Sequence, residues 1–165
     1  MEKRIIKLEL ILATLLLFIP LILIIATGEL RSSISNYAYS DLSYLFVMLL
    51  SIAGMMFIFN GTAYNSRWYN IILGCSLIGV SLTPHLDYTI IHYIFASLFF
   101  LGSVGVMIGF SSAKQRPLKA YLGIMVILGL VGHFAFNWYS LLWAEWIGML
   151  PISIHYIGES TGKLD

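Results

Sequence analysis

The sequence predicts an all-α, polytopic membrane bundle of about six transmembrane helices, with both termini cytoplasmic and a single transmembrane domain spanning residues 1–165. Three observations carry this expectation: the scarcity of charge, a succession of long apolar runs, and the placement of Lys and Arg. Hydrophobic residues make up 59% of the chain and charged residues 10%, with a mean hydropathy of +0.90. A soluble domain needs about 25% charged residues to clothe its surface, so this surface is expected to face hydrocarbon. Within hydrocarbon a backbone must satisfy its own hydrogen bonds, which makes the runs helices. None alternates polar and apolar residues as a membrane barrel strand does.

Taken in order, the first run covers residues 5–27 and follows Lys3, Arg4 and Lys7. It exceeds the apolar core of about 7–15 residues found in cleaved secretory signals, and Ala26-Thr27-Gly28 is a poor cleavage site, so an uncleaved signal-anchor is expected. The second helix is expected over 42–59, closed by Asn60-Gly61. The third covers 69–83 and ends before Pro84, because the residue preceding a proline avoids the helical region. Helices over 88–110, 120–138 and 140–157 follow, with Pro117 in the loop before the fifth. Only Asn137-Trp138-Tyr139-Ser140 separates the last two, so one long kinked helix is an alternative. Pro20 and Pro151 fall within runs and are expected to kink them, which neighbouring helices can accommodate.

Lys3, Arg4, Lys7, Arg67, Lys114, Arg116, Lys119 and Lys163 fall on one side of this threading, and Arg31 stands alone on the other beside Glu29, Asp41 and Asp87. The positive-inside rule assigns the basic side to the cytoplasm of a plasma membrane, here a bacterial inner membrane. Asn60-Gly61-Thr62 matches a glycosylation acceptor but falls on the cytoplasmic side. The net charge of +1 excludes electrostatic capture of nucleic acid. The lone Cys75 excludes an intrachain disulfide and reads as a small buried residue. Tyr37, Tyr39, Tyr44, Tyr88, Trp138, Tyr139, Trp143 and Trp146 gather at the outer helix ends, and Tyr64, Trp68 and Tyr69 at the inner ones, as an interfacial aromatic belt.

Polar residues inside spans are the informative ones, because burying them is costly. His92, His133 and Glu145 each lie about four or five residues from the outer end of a helix, roughly 6–8 Å deep. His85 and Asp87 cap the same region, and Asn137 shares a helix face with His133. A polar cluster of His85, Asp87, His92, His133, Asn137 and Glu145 is therefore expected near the outer face. One reading makes it structural, with Glu145 hydrogen-bonded to His133 or His92. Another makes it a pocket for a polar headgroup or small amphiphile, with membrane lipids as partners and no obligatory cofactor. A third makes it a metal-dependent lipid hydrolase, with His85, His92 and His133 as zinc ligands and Glu145 as general base. The chain lacks an HExxH signature and a nucleophile elbow around Ser81. A small transporter is a further alternative, disfavoured by the lack of repeat symmetry. His155 is expected to be interfacial. Gly102, Gly105 and Gly109 form a small-residue stripe suited to close helix contact within the bundle, or to a homo-oligomer or another membrane protein.

The segment Gly79-Val80-Ser81-Leu82-Thr83-Pro84-His85, followed by His92, Ala96 and Phe100 as H-x-x-x-A-x-x-x-F, resembles a group of small six-helix membrane proteins. These are the bacterial proteins of the domain of unknown function nine-nine-eight and the related DRAM/FRAG/Sfk group. Ser33-Ile34-Ser35-Asn36 resembles that group's S-I-S segment, and Glu145-Trp146 its E-W or E-R pair. The resemblance covers residues 8–158. It implies six helices with both termini inside, and an accessory role in lipid handling more than a defined enzymatic activity.

Overall fold

The computed structural model describes residues 2–63 and 67–164, with side chains described from Ile6 onward. The described chain forms six α-helices: α1 (Glu2–Thr27), α2 (Ser43–Ala63), α3 (Tyr69–Leu82), α4 (Thr89–Gly109), α5 (Arg116–Phe134) and α6 (Leu141–Ser160). A short 3₁₀ segment, Ser35–Tyr39, lies between α1 and α2, and no strand occurs among the described residues. α1, α2, α4 and α5 are long and apolar enough to cross a membrane, whereas α3 is shorter. Large apolar side chains such as Ile25, Met55, Ile90, Leu128 and Phe134 point outward, as expected of surfaces solvated by lipid.

Each helix turns one stripe inward. α1 buries Leu12, Ala13, Leu16, Ile19 and Leu23 completely, at the spacing that keeps residues on one face of a helix. Phe57 of α2 meets Phe99 of α4 and Tyr156 of α6 edge-on, with ring centroids 5.9 and 5.0 Å apart. Such edge-to-face geometry sets a positive ring edge against a negative face. α2 and α3 approach closely through Gly54 and Gly74: a Cβ at Gly54 would lie 2.8 Å from the Gly74 carbonyl, leaving no room for a side chain.

Several boundaries differ from expectation for identifiable reasons. α2 continues through Asn60-Gly61 to Ala63, because Asn60 turns its amide inward and Gly61 lets the backbone pass Ile71. α5 starts at Arg116, with Pro117 inside its first turn, where a missing N–H is harmless. It stops at Phe134, well before Trp138. Asn137 adopts a left-handed conformation (φ 52), and Trp138 N–H donates to the Gly132 carbonyl at 3.0 Å. α5 and α6 are thus two helices, and the single kinked helix is excluded.

Other expectations are corrected. Cys75 is exposed on the outer surface of α3 rather than buried. Gly105 and Gly109 have no neighbour within 4 Å of a would-be Cβ, so they make no close contact within the bundle; only Gly102 approaches a partner, Leu73. The aromatic belt loses Tyr37 and Tyr69 to the interior, where the Tyr37 hydroxyl donates to the Glu29 carbonyl at 2.6 Å; Tyr139 and Trp146 are half-buried, donating to the carbonyls of Gly129 and of Leu17 in α1, the latter at 2.9 Å. Tyr64 lies outside the described residues.

Candidate functional site

Two polar clusters occupy opposite ends of the bundle. The first lies at the end where the α1–α2 connection, the α3–α4 turn and the α5–α6 turn come together, here called the loop end. Its cavity, about 430 Å³, is lined by His85, His92, His133 and Glu145, by Ser32, Ser33, Ser35, Ser97 and Ser140, and by apolar side chains including Ala96, Phe100, Leu101, Leu130 and Phe134. The volume lies within the usual range for ligand pockets, about 300–1,000 Å³.

The α1–α2 connection folds back into the bundle to form one wall. Ser33, Ile34 and Ser35 are buried, and their backbone needs internal partners. Glu145 supplies one by accepting the Ile34 N–H at 2.6 Å, while Leu142 N–H donates to the Ser32 carbonyl at 2.7 Å. Glu145 therefore bonds the connection rather than His133 or His92, which corrects the expected interhelical carboxylate–imidazole bond. Its second oxygen, Oε1, has no hydrogen-bond partner among the described residues.

Both helical imidazoles are oriented from behind. His92 Nδ1 sits 2.7 Å from the Thr83 carbonyl at the end of α3, and His133 Nδ1 sits 2.7 Å from the Tyr139 carbonyl in the α5–α6 turn. A carbonyl only accepts, so each Nδ1 carries a proton, and in the neutral form of either ring Nε2 is the acceptor. His85 stacks edge-on against Tyr39 at 5.4 Å and lies 5.8 Å from the His92 ring. Its buried Nδ1 has no partner among the described residues. Asp87 and Asn137 do not line the cavity: Asp87 accepts the Tyr39 hydroxyl at 3.2 Å, and Asn137 is exposed at the turn it makes. Among the described residues no three His, Cys, Asp or Glu side chains converge as a metal site would require. The set His85, His92 and His133 thus lacks the convergence of zinc ligands.

The second cluster escaped the sequence reading, and it crosses five helices. Glu9 of α1 accepts from the Asn60 amide of α2 at 2.7 Å and pairs with Arg67. Asn70 of α3 donates to Asn60 at 2.7 Å and accepts the Tyr156 hydroxyl of α6 at 2.6 Å. Glu159 of α6 lies 3.4 Å from Arg67, 3.3 Å from Lys119 of α5 and 3.4 Å from His155. Lys119 is completely buried and His155 nearly so, which corrects the placement of Lys119 in a loop and of His155 at an interface. The i, i+4 spacing of His155 and Glu159, and Asn60 and Asn70 within apolar runs, were the available signals. They were masked because the basic residues were read only as markers of sidedness.

Between the clusters the interior is mainly apolar, with Ser76, Ser103 and Ser153 buried in it. Leu16, Leu50, Leu77, Phe99 and Met149 enclose a void of about 40 Å³ that abuts His92 and Glu145. The fold and these clusters define a helical protein of the membrane class, with a polar cavity at one end and an ion-paired seal at the other. Over residues 18–160 the sequence matches the Family of unknown function (DUF7103), and the chain belongs to that family. This overturns the resemblance to the domain of unknown function nine-nine-eight and the DRAM/FRAG/Sfk group. The shared positions were weak discriminators: Ala96 and Phe100 simply line the interior, as small and aromatic residues do in any helix bundle. No curated protein and no solved structure matches the chain.

Proposed function

We propose that this protein is a six-crossing membrane protein whose loop-end cavity holds the polar head of an amphiphile admitted sideways from the bilayer. The observation that carries the reading is the composition of one cavity, which combines imidazoles, serines and Glu145 with apolar side chains of α4 and α5. Tyr93, Leu101 and Phe134, which line it, are also exposed on the bundle surface. A surface groove along α4, lined by Ile90, Tyr93, Ile94, Ser97, Leu98, Leu101 and Gly102, shares Tyr93, Ser97 and Leu101 with the cavity. A head in the cavity with a chain along that groove satisfies both chemistries without passing water.

Sidedness follows from the positive-inside rule, with the basic end carrying both termini in the cytoplasm and the cavity facing outward in a plasma membrane, here a bacterial inner membrane. α3, at 14 residues, extends about 21 Å, short of about 30 Å of hydrocarbon, and relies on its neighbours to close the span. The mainly apolar layer between the clusters favours binding over transport. Lipid hydrolysis at a zinc ion has weaker support, because the ligands do not converge; stoichiometric zinc in purified protein, lost in His92→Ala, would reverse that ranking.

The test is occlusion. Ser97→Trp should fill the lateral entrance while leaving the buried core untouched. A long-chain amphiphile with an environment-sensitive fluorophore should bind the unaltered protein saturably in nanodiscs and lose at least about tenfold in affinity with Ser97→Trp, a change of about 1.4 kcal/mol. Equal binding by both proteins would refute the cavity as the site.

A further inference from the structure

We infer that the cavity selects an amphiphile whose head is an aliphatic ammonium group, and rejects anionic heads. The inference rests on the reading of the cavity as an amphiphile site and adds the chemistry of the head. It comes from which hydrogen-bonding valences the cavity leaves open.

His92 and His133 each donate Nδ1–H to a backbone carbonyl, at 2.7 Å in both cases, which leaves Nε2 as an acceptor. Glu145 has one oxygen bonded to the Ile34 N–H and the other without a partner among the described residues. These three side chains present acceptors, while His85, with its unpartnered Nδ1, and the serine hydroxyls can donate or accept. Among the described residues no Lys or Arg lines the cavity. Arg31, the basic residue of this end, is turned to Glu29 at 2.6 Å and to the Asn36 carbonyl. A phosphate or carboxylate head would therefore enter beside the Glu145 carboxyl with no Lys or Arg counter-cation among the described lining residues, and burying an anion without one is strongly unfavourable.

An ammonium head meets the opposite situation. Its three N–H donors match a carboxylate oxygen and imidazole lone pairs, and the serine hydroxyls can rotate to accept as well. Its charge supplies what a carboxylate removed from water lacks. The surroundings reinforce the choice, since Glu29, Asp41 and Asp87 occupy the same end of the chain's threading against Arg31 alone. A cation approaching this end moves down the potential. Metal cations are the competing positive ligands, and the lack of three converging ligand side chains among the described residues disfavours them.

The experiment compares dodecylamine, dodecyl phosphate and dodecanol, each titrated into the full chain in phosphatidylcholine nanodiscs, with binding read from tryptophan fluorescence and corrected with empty nanodiscs. The expected result is saturable binding with dodecylamine at least about tenfold tighter than dodecyl phosphate, as a charge-assisted hydrogen bond supplies. Glu145→Gln keeps an acceptor for Ile34 and so keeps the fold, and it should abolish that ratio. Dodecyl phosphate binding as tightly as dodecylamine, or a ratio unchanged in Glu145→Gln, would overturn the ammonium assignment and leave the amphiphile cavity standing. Failure of all three probes to bind would overturn both. Phosphatidylethanolamine in place of phosphatidylcholine should compete weakly, because its ammonium arrives with a phosphate; strong competition would mean that the phosphate is accepted and would also overturn the assignment.

Discussion

Replacing Lys119 and Glu159 separately and together tests whether the ion-paired end acts as one unit. The Lys119 side chain is 1% exposed and that of Glu159 is 5% exposed, and their charged atoms lie 3.3 Å apart. Lys119→Met leaves the Glu159 carboxylate with Arg67 and His155 at 3.4 Å each. Breaking one side of a buried pair costs about 3–5 kcal/mol, and the remaining partners place this loss near the lower bound, about 3 kcal/mol. Glu159→Gln leaves a buried ammonium beside the guanidinium of Arg67, which keeps Glu9, so its loss should be as large or larger. The double variant removes both charges and leaves Arg67 with Glu9, so its loss should be only about 1–2 kcal/mol. The coupling should then exceed about 3 kcal/mol, beyond the range of independent sites. Reversible unfolding in mixed detergent, followed by tryptophan fluorescence, measures all three. A double variant that loses the sum of the two singles would refute the closed ionic unit.

Two further outcomes follow from the geometry. Glu145→Leu strands the Ile34 N–H and should lower unfolding free energy by about 1–3 kcal/mol, whereas Glu145→Gln should lose less than half as much; thermal unfolding in detergent distinguishes them, and equal losses would mean that the carboxylate does not hold the connection. Cys75→Ala, on the outer surface of α3, should change stability by less than about 0.5 kcal/mol, while Leu77→Ala, two residues on and buried, should lose about 2–5 kcal/mol. A large loss at Cys75 would show that α3 is rotated from its described position.

The helices were readable because a span must be apolar along its whole length, and that property is visible in the sequence. Their ends were less readable. Asn60-Gly61 resembles a terminator locally, yet Asn60 finds Glu9 and Asn70, residues distant in sequence, and this keeps α2 going. The depths of His92, His133 and Glu145 could be counted from helix ends, and the three do line one cavity with His85. Their partners could not be counted in this way. Glu145 reaches an N–H 111 positions away in the α1–α2 connection, and no periodicity encodes that fold-back. Asp87 and Asn137 illustrate the same limit, since sharing a depth or a helix face with the cluster did not turn them into the cavity. Lys119 misled for a different reason. Its charge was used only as a marker of sidedness, whereas its burial depends on the position of Glu159 across the bundle.

The central claim is that an amphiphile enters from the bilayer between α4 and α5 at the loop end. Photo-crosslinking with a diazirine-bearing dodecylamine in liposomes, followed by mapping of the labelled residues, measures this directly. Label should concentrate on Tyr93, Ser97, Leu101 and Phe134, which line the cavity, and be displaced by unlabelled dodecylamine. Label spread evenly over lipid-facing positions such as Ile11, Ile25 and Ile124, and unaffected by competitor, would contradict it.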